Sequence, residues 1–154
     1  MKRQKKHQLL TIILTGLSGA GKTVALNAFE DSGFFCVDNL PLKLIETFVN
    51  LSSKTPSITK IAIGIDIRER KFLTDFSEAV SSLREKHKLE IIFLEASDNA
   101  LIRRFKETRR PHPIGNKDLR KAIQREMRLL SSIREEANTI IDTSLLTPHQ
   151  LRKF

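Results

Sequence analysis

Residues 16–23 read Gly16-Leu17-Ser18-Gly19-Ala20-Gly21-Lys22-Thr23, a complete G-x-x-x-x-G-K-[ST] loop. No other feature of the chain restricts its folding as strongly. The loop works only where a strand delivers it and a helix leaves it, because successive backbone N–H groups must converge on one concavity. Both flanks comply. Leu9-Leu10-Thr11-Ile12-Ile13-Leu14-Thr15 is an apolar run of strand length, and Val24-Ala25-Leu26-Asn27-Ala28-Phe29-Glu30 has helical character. The loop's glycines permit the tight turn. An anion at the helix N-terminus gains from the dipole and the unpaired amides. In this frame Lys22 reaches β- and γ-phosphates as a point charge, and the Thr23 hydroxyl is a Mg²⁺ ligand.

The rest of the chain repeats the alternation. Phe34–Val37, Lys60–Asp66, Leu89–Glu95 and Thr139–Asp142 read as further strands, with the third-to-last buried on both faces. Between them, Leu42, Ile45, Phe48 and Val49, then Phe72, Phe76, Val80 and Leu83, fall at helical spacing. Asp98 is placed to cap a helix carrying Leu101 and Phe105. Leu119, Ile123, Met127, Leu130 and Ile133 predict one long amphipathic helix over 118–137. Pro148 opens a last helix. Strands separated by helices imply right-handed crossovers. The expected fold is therefore α/β: a P-loop NTPase-like parallel sheet with helices on both faces, of the small-kinase type. One domain over 9–154 is expected, preceded by a basic, disordered 1–8.

Composition narrows the partners. The 154 residues carry a formal charge of +9. Lys2, Arg3, Lys5 and Lys6 supply four of those charges. From Asp98 to Arg134 there are eleven Lys/Arg against four Asp/Glu, so the remaining excess is concentrated there. Such a concentration invites a nucleotide, RNA, or both. No apolar run approaches the length of a membrane span. A signal peptide would consume the first strand. The lone Cys36 forms no internal disulfide and is read as a core residue, which fits a cytoplasmic protein.

Strand ends supply the other candidates, since ligands of open α/β sheets gather at the carboxyl edge. Asp66 ends an apolar run as a Walker B carboxylate does, and with Thr23 it is the expected Mg²⁺ site. Asp38 ends the second strand and serves either a ligand or the Asp38-Asn39-Leu40-Pro41 turn. Glu95 ranks below both. Arg68, two residues after Asp66, either grips a polar ligand or pairs with it. Arg103, Arg104, Lys106, Arg109 and Arg110 form a basic cluster. In it Arg103, Arg109 and Arg110 share a helix face, as a lid over transferred phosphate or as a solvated surface. His112, between Pro111 and Pro113, is read as a packing residue.

Several stretches together resemble one family, the RapZ/YvcJ-type P-loop nucleotide-binding proteins of bacteria. They are Gly16–Thr23, Glu30-Asp31-x-Gly33-Phe34-x-Cys36-Val37-Asp38-Asn39-Leu40-Pro41, Asp66-Ile67-Arg68, Leu101-Ile102-Arg103-Arg104-Phe105-x-x-Thr108-Arg109-Arg110-x-His112-Pro113, Ile141-Asp142-Thr143-Ser144 and His149-x-Leu151. The resemblance implies binding of ATP and GTP with slow hydrolysis. It assigns ATP to Gly16, Leu17, Ser18, Gly19, Ala20, Gly21, Lys22 and Thr23. It assigns GTP contact to Asp66, Ile67, Arg68 and Glu69, the last standing where the family often has Asn or Gly. In one branch it implies an RNA-binding adapter for an endoribonuclease, a role that leans on a second, C-terminal domain. Homo-oligomer formation is also compatible. The competing readings are a small-molecule or nucleotide kinase of the same fold, and an RNA-binding module. The last lacks the aromatic platform usual in single-strand readers, as there is no Trp or Tyr.

Overall fold

The computed structural model describes residues 9–67, 71–108 and 118–146. The expected disordered stretch 1–8, His112 between its prolines and the expected helix from Pro148 lie outside them. Within them the order is β1 (Leu10–Gly16), α1 (Lys22–Asp31), β2 (Phe35–Val37), α2 (Leu42–Ser53), β3 (Lys60–Gly64), α3 (Lys71–Lys86), β4 (Lys88–Glu95), α4 (Asp98–Thr108), α5 (Leu119–Leu129), α6 (Ser131–Glu136) and β5 (Thr139–Asp142).

All strand pairs are parallel, in the order β2-β3-β1-β4-β5. The motif-bearing β1 is thus central. Its residues from Thr11 to Gly16 are buried, because strands on both sides and helices above and below cover it. Right-handed crossovers carry α1 to one face and α2 and α3 to the other. The packing agrees: α1 lies on β1, β2 and β3, whereas α2 packs on α3 and α3 on α6. Ile13, Leu14, Ile61, Ile63, Ile91 and Leu94 build the sheet's contribution to the core, with Phe76 and Leu101 closing it from the helices.

Two local expectations change. The helix expected over 118–137 breaks at Leu130 (φ −92°, ψ 3°) into α5 and α6. The Ser131 hydroxyl donates to the Arg128 carbonyl at 3.0 Å, the kind of local bond by which serine competes with helical pairing. The turn also lets both Leu130 and Ile133 enter the core. At α4 the cap is Ser97, whose Oγ accepts from the Ala100 amide at 3.2 Å. Asp98 instead sits in the first turn, facing Arg120 at 3.6 Å and accepting from Gln124 at 3.3 Å. Cys36 is half-buried against the core, its thiol donating to the Leu26 carbonyl at 3.5 Å. Burial, and next the charge of Glu30, push that thiol up.

Candidate phosphate-binding site

The loop leaves β1 at the centre of the sheet's carboxyl edge. Gly16 has φ +145°, and a Cβ there would lie 2.1 Å from the Leu94 carbonyl oxygen. Only glycine lets the chain pass this close to β4, where the Leu17 amide donates to the same carbonyl at 3.0 Å. Gly21, at φ +106°, turns the chain into α1 and brings no side-chain cap. The first intrahelical bond runs from the Ala25 amide to the Gly21 carbonyl. The amides of Lys22, Thr23 and Val24 therefore have no acceptor within the helix. No acidic side chain stands in that first turn to satisfy the dipole.

Groups far away in sequence hold the loop in this shape. The Thr143 hydroxyl donates to the Ala20 carbonyl at 2.7 Å. Arg104 donates from Nη1 to the Gly19 carbonyl at 3.1 Å and to Thr143 Oγ1 at 3.0 Å, and from Nη2 to the Thr143 carbonyl. Burial, then Arg103, weaken the Arg104 guanidinium's hold on its proton, while Asp142 and Glu107 act in the other direction. Asp142 itself is held below the usual carboxylate range, chiefly by the Ser144 hydroxyl and amide. On the other flank, the buried Glu126 of α5 accepts from the Ser18 amide and from the Ser18 hydroxyl, both at 2.7 Å. With the Gly19 and Ala20 carbonyls tied back, the loop is held in a turned shape of the kind an anion cradle requires.

Thr143 is 1% exposed, so its role is testable by isosteric change. Thr143→Val keeps the volume and strands the Ala20 carbonyl. It is expected to destabilise the fold by about 1–3 kcal/mol in urea unfolding. A change within about 0.5 kcal/mol, the level of an ordinary surface substitution, would refute the loop-holding role.

The structure gathers some of the expected site residues and separates others. Gly16, Gly19 and Gly21 form the loop with Ser18, while Leu17 and Ala20 anchor it in the core. Lys22 reaches Asp66 at the end of β3, with Nζ 3.5 Å from Oδ1. Asp66 and Lys22 are thus neighbours. Ile67 is buried in the core. Arg68, the expected companion of Asp66, and Glu69 lie outside the described residues. Asp38 is exposed beside the end of β3, and a Cβ on Gly64 would meet its Oδ1 at 2.7 Å. Glu95 is taken by the guanidinium fork of Arg134, at 2.7 and 3.1 Å. Arg103 is exposed on α4. Arg109, Arg110 and His112 lie outside the described residues.

Among the described residues no group of three or more His, Cys, Asp or Glu could cage a metal ion. Mg²⁺ does not need one: it keeps several waters and takes one or two protein oxygens besides substrate phosphates. Thr23, exposed in the first turn of α1, and Asp66 fit that modest donor set.

Sequence reasoning missed Glu126. Its signal was a lone carboxylate on the same helix flank as Ala122, inside a strongly basic stretch. It also treated Arg104 as one charge in a cluster, whereas its guanidinium bonds the Gly19 carbonyl of the loop and Thr143.

A five-stranded parallel sheet with a glycine-rich loop leaving its central strand into a helix defines the P-loop fold, in its small-kinase form. Solved structures of that class superpose well. A tunicamycin resistance protein of Deinococcus radiodurans matches with TM-score 0.65 and 13% identity, over 95% of this chain and 92% of that one. Acinetobacter baumannii shikimate kinase, in complex with shikimate, matches with TM-score 0.62 and 16% identity, over 96% and 90%.

The chain belongs to the RapZ-like N-terminal domain family, whose model matches residues 9–154. It is 48% identical over 143 residues to a nucleotide-binding protein of Thermodesulfovibrio yellowstonii, covering 92% of this chain and 50% of the relative. It is 47% identical over 152 residues to a nucleotide-binding protein of Syntrophomonas wolfei, covering 97% and 52%. The chain thus spans about half the length of these curated relatives. Among the described residues no helix is long and apolar enough to cross a membrane.

Proposed function

We propose that this domain binds ATP or GTP with Mg²⁺ at Gly16–Thr23, hydrolyses it slowly, and acts as a regulatory nucleotide-binding unit in the cytoplasm. The observation that carries the reading is the loop itself: the α1 amides lack helical acceptors, the loop carbonyls are tied back by Arg104 and Thr143, and Lys22 stands at the rim. The names of the relatives quoted above support the same ligand class. In this reading Lys22 meets the β- and γ-phosphates and Thr23 and Asp66 hold Mg²⁺. The segment Asp66, Ile67, Arg68 and Glu69 contacts nucleotide. Asp38, Arg103, Arg109 and Arg110 are polar contacts around the transferred phosphate. An RNA-adapter role with an endoribonuclease partner, and any homo-oligomer, are proposals for the longer protein.

Calorimetry with ATP and GTP, each with and without Mg²⁺, tests the assignment. Asp66→Asn is expected to weaken Mg²⁺-nucleotide binding more than metal-free binding. The lost interaction is with the cation, and removing a carboxylate relieves repulsion on the bare phosphates. Equal losses in both series would remove Asp66 from the metal site, and no heat with either nucleotide would end the proposal. Nucleotide consumption that depends on a small-molecule acceptor would establish the kinase alternative.

A further inference from the structure

Glu126 has no part in the function proposed above. It is 1% exposed, comes from a helix 108 residues along the chain, and places one oxygen on the Ser18 amide and the other on the Ser18 hydroxyl. An ionised acceptor on a phosphate-loop amide, at 2.7 Å, uses the same charge-assisted chemistry by which the loop takes a phosphate oxygen. We propose that Glu126 is a resident anion of the phosphate loop, which a nucleotide's phosphates must bind against or displace, so that this carboxylate sets the loop's affinity for polyphosphate.

Glu126 has two opposed effects on binding. Its two bonds help order the loop, and its charge repels phosphate. The ordering is shared: Thr143 and Arg104 hold the Ala20 and Gly19 carbonyls, and the Ala20 amide closes a turn onto the Leu17 carbonyl. The repulsion is not shared in this way, and it grows with each charge on the ligand. Removing the charge while keeping the shape should therefore strengthen binding.

The proposal rests on the nucleotide-binding reading, and the test keeps the two apart. Glu126→Gln retains the side chain's length and one acceptor oxygen. It is expected to bind ATP about tenfold more tightly than the parent chain, with a smaller gain for inorganic pyrophosphate and a gain that shrinks as salt is raised. Equal or weaker binding by a folded Glu126→Gln protein, beside a parent chain that binds, overturns the role of Glu126 alone. Absence of binding by both overturns the nucleotide reading and this inference with it. A measurement on the unaltered protein covers failure of the variant to fold. During titration with inorganic pyrophosphate, the Glu126 side-chain carboxyl carbon and Ser18 amide resonances should shift together with the amides of Gly19–Thr23. Shifts confined to Gly19–Thr23 would overturn the proposal.

Discussion

Replacing Lys22 with alanine will lower nucleotide affinity by about 10- to 100-fold, because a charge-assisted contact to phosphate is worth about 1.5–3 kcal/mol. The Asp66 contact pushes the result toward the upper end. Lys22 Nζ lies 3.5 Å from Asp66 Oδ1, with the two side chains 19% and 22% exposed. Without the ammonium, the Asp66 carboxylate loses its attraction to Lys22 and repels the incoming phosphates, so the loss of attraction is joined by repulsion. If Asp66 helps hold Mg²⁺, the cation would return part of the loss, so the defect should be larger without the metal. The fold should be little affected, since a partly solvated ion pair contributes about 0–1 kcal/mol. Calorimetry on the variant, alongside its thermal unfolding, reads both effects. A folded Lys22→Ala protein with unchanged affinity would refute the phosphate site.

The largest stability loss is expected at Gly16. An alanine Cβ would sit 2.1 Å from the Leu94 carbonyl oxygen and 2.7 Å from its nitrogen. Both are backbone atoms of β4, paired in register with β1, so neither can swing aside. The backbone at φ +145° adds strain for any residue with a Cβ. Overpacking and strain each cost about 1–3 kcal/mol, so Gly16→Ala should destabilise by about 3 kcal/mol or more in urea unfolding. It should also part β1 from β4 at the loop and lower nucleotide affinity in whatever folded protein remains. A loss below about 1 kcal/mol would mean that the β1–β4 seam can open without penalty.

The sheet was legible from the sequence because buried parallel strands need continuous apolar runs. Ile61-Ala62-Ile63 and Ile91-Ile92-Phe93-Leu94 have little other use in a domain of this size. The loop was legible because its glycines, lysine and threonine are each required by local backbone geometry or by the ligand's charge. The position of Asp66 beside Lys22 could be anticipated too, as strand ends converge on the carboxyl edge of the sheet whatever the side chains around them. The break at Leu130 was not legible. The spacing of Leu119, Ile123, Met127, Leu130 and Ile133 suits a continuous helix, and a single turn preserves the buried face on both sides of it. The cap at Ser97 was hidden because Asp98 next to it is an equally good capper by type.

What the sequence determined by itself is local in origin: a phosphate loop between a strand and a helix, the alternation that makes a parallel sheet, and the family to which the stretches around Asp38 and Asp66 point. Periodicity and turn chemistry operate over a few residues, so a few residues suffice to show them. Tertiary structure alone decided which side chains hold the loop. Glu126 reaches Ser18 across 108 residues, Thr143 reaches Ala20 across 123, and Arg104 reaches Gly19 across 85. These polar bonds depend on where α4, α5 and the end of β5 come to rest around β1. A carboxylate, a hydroxyl and a guanidinium are ordinary surface groups in the sequence, and only burial against a backbone that needs partners gives them their roles.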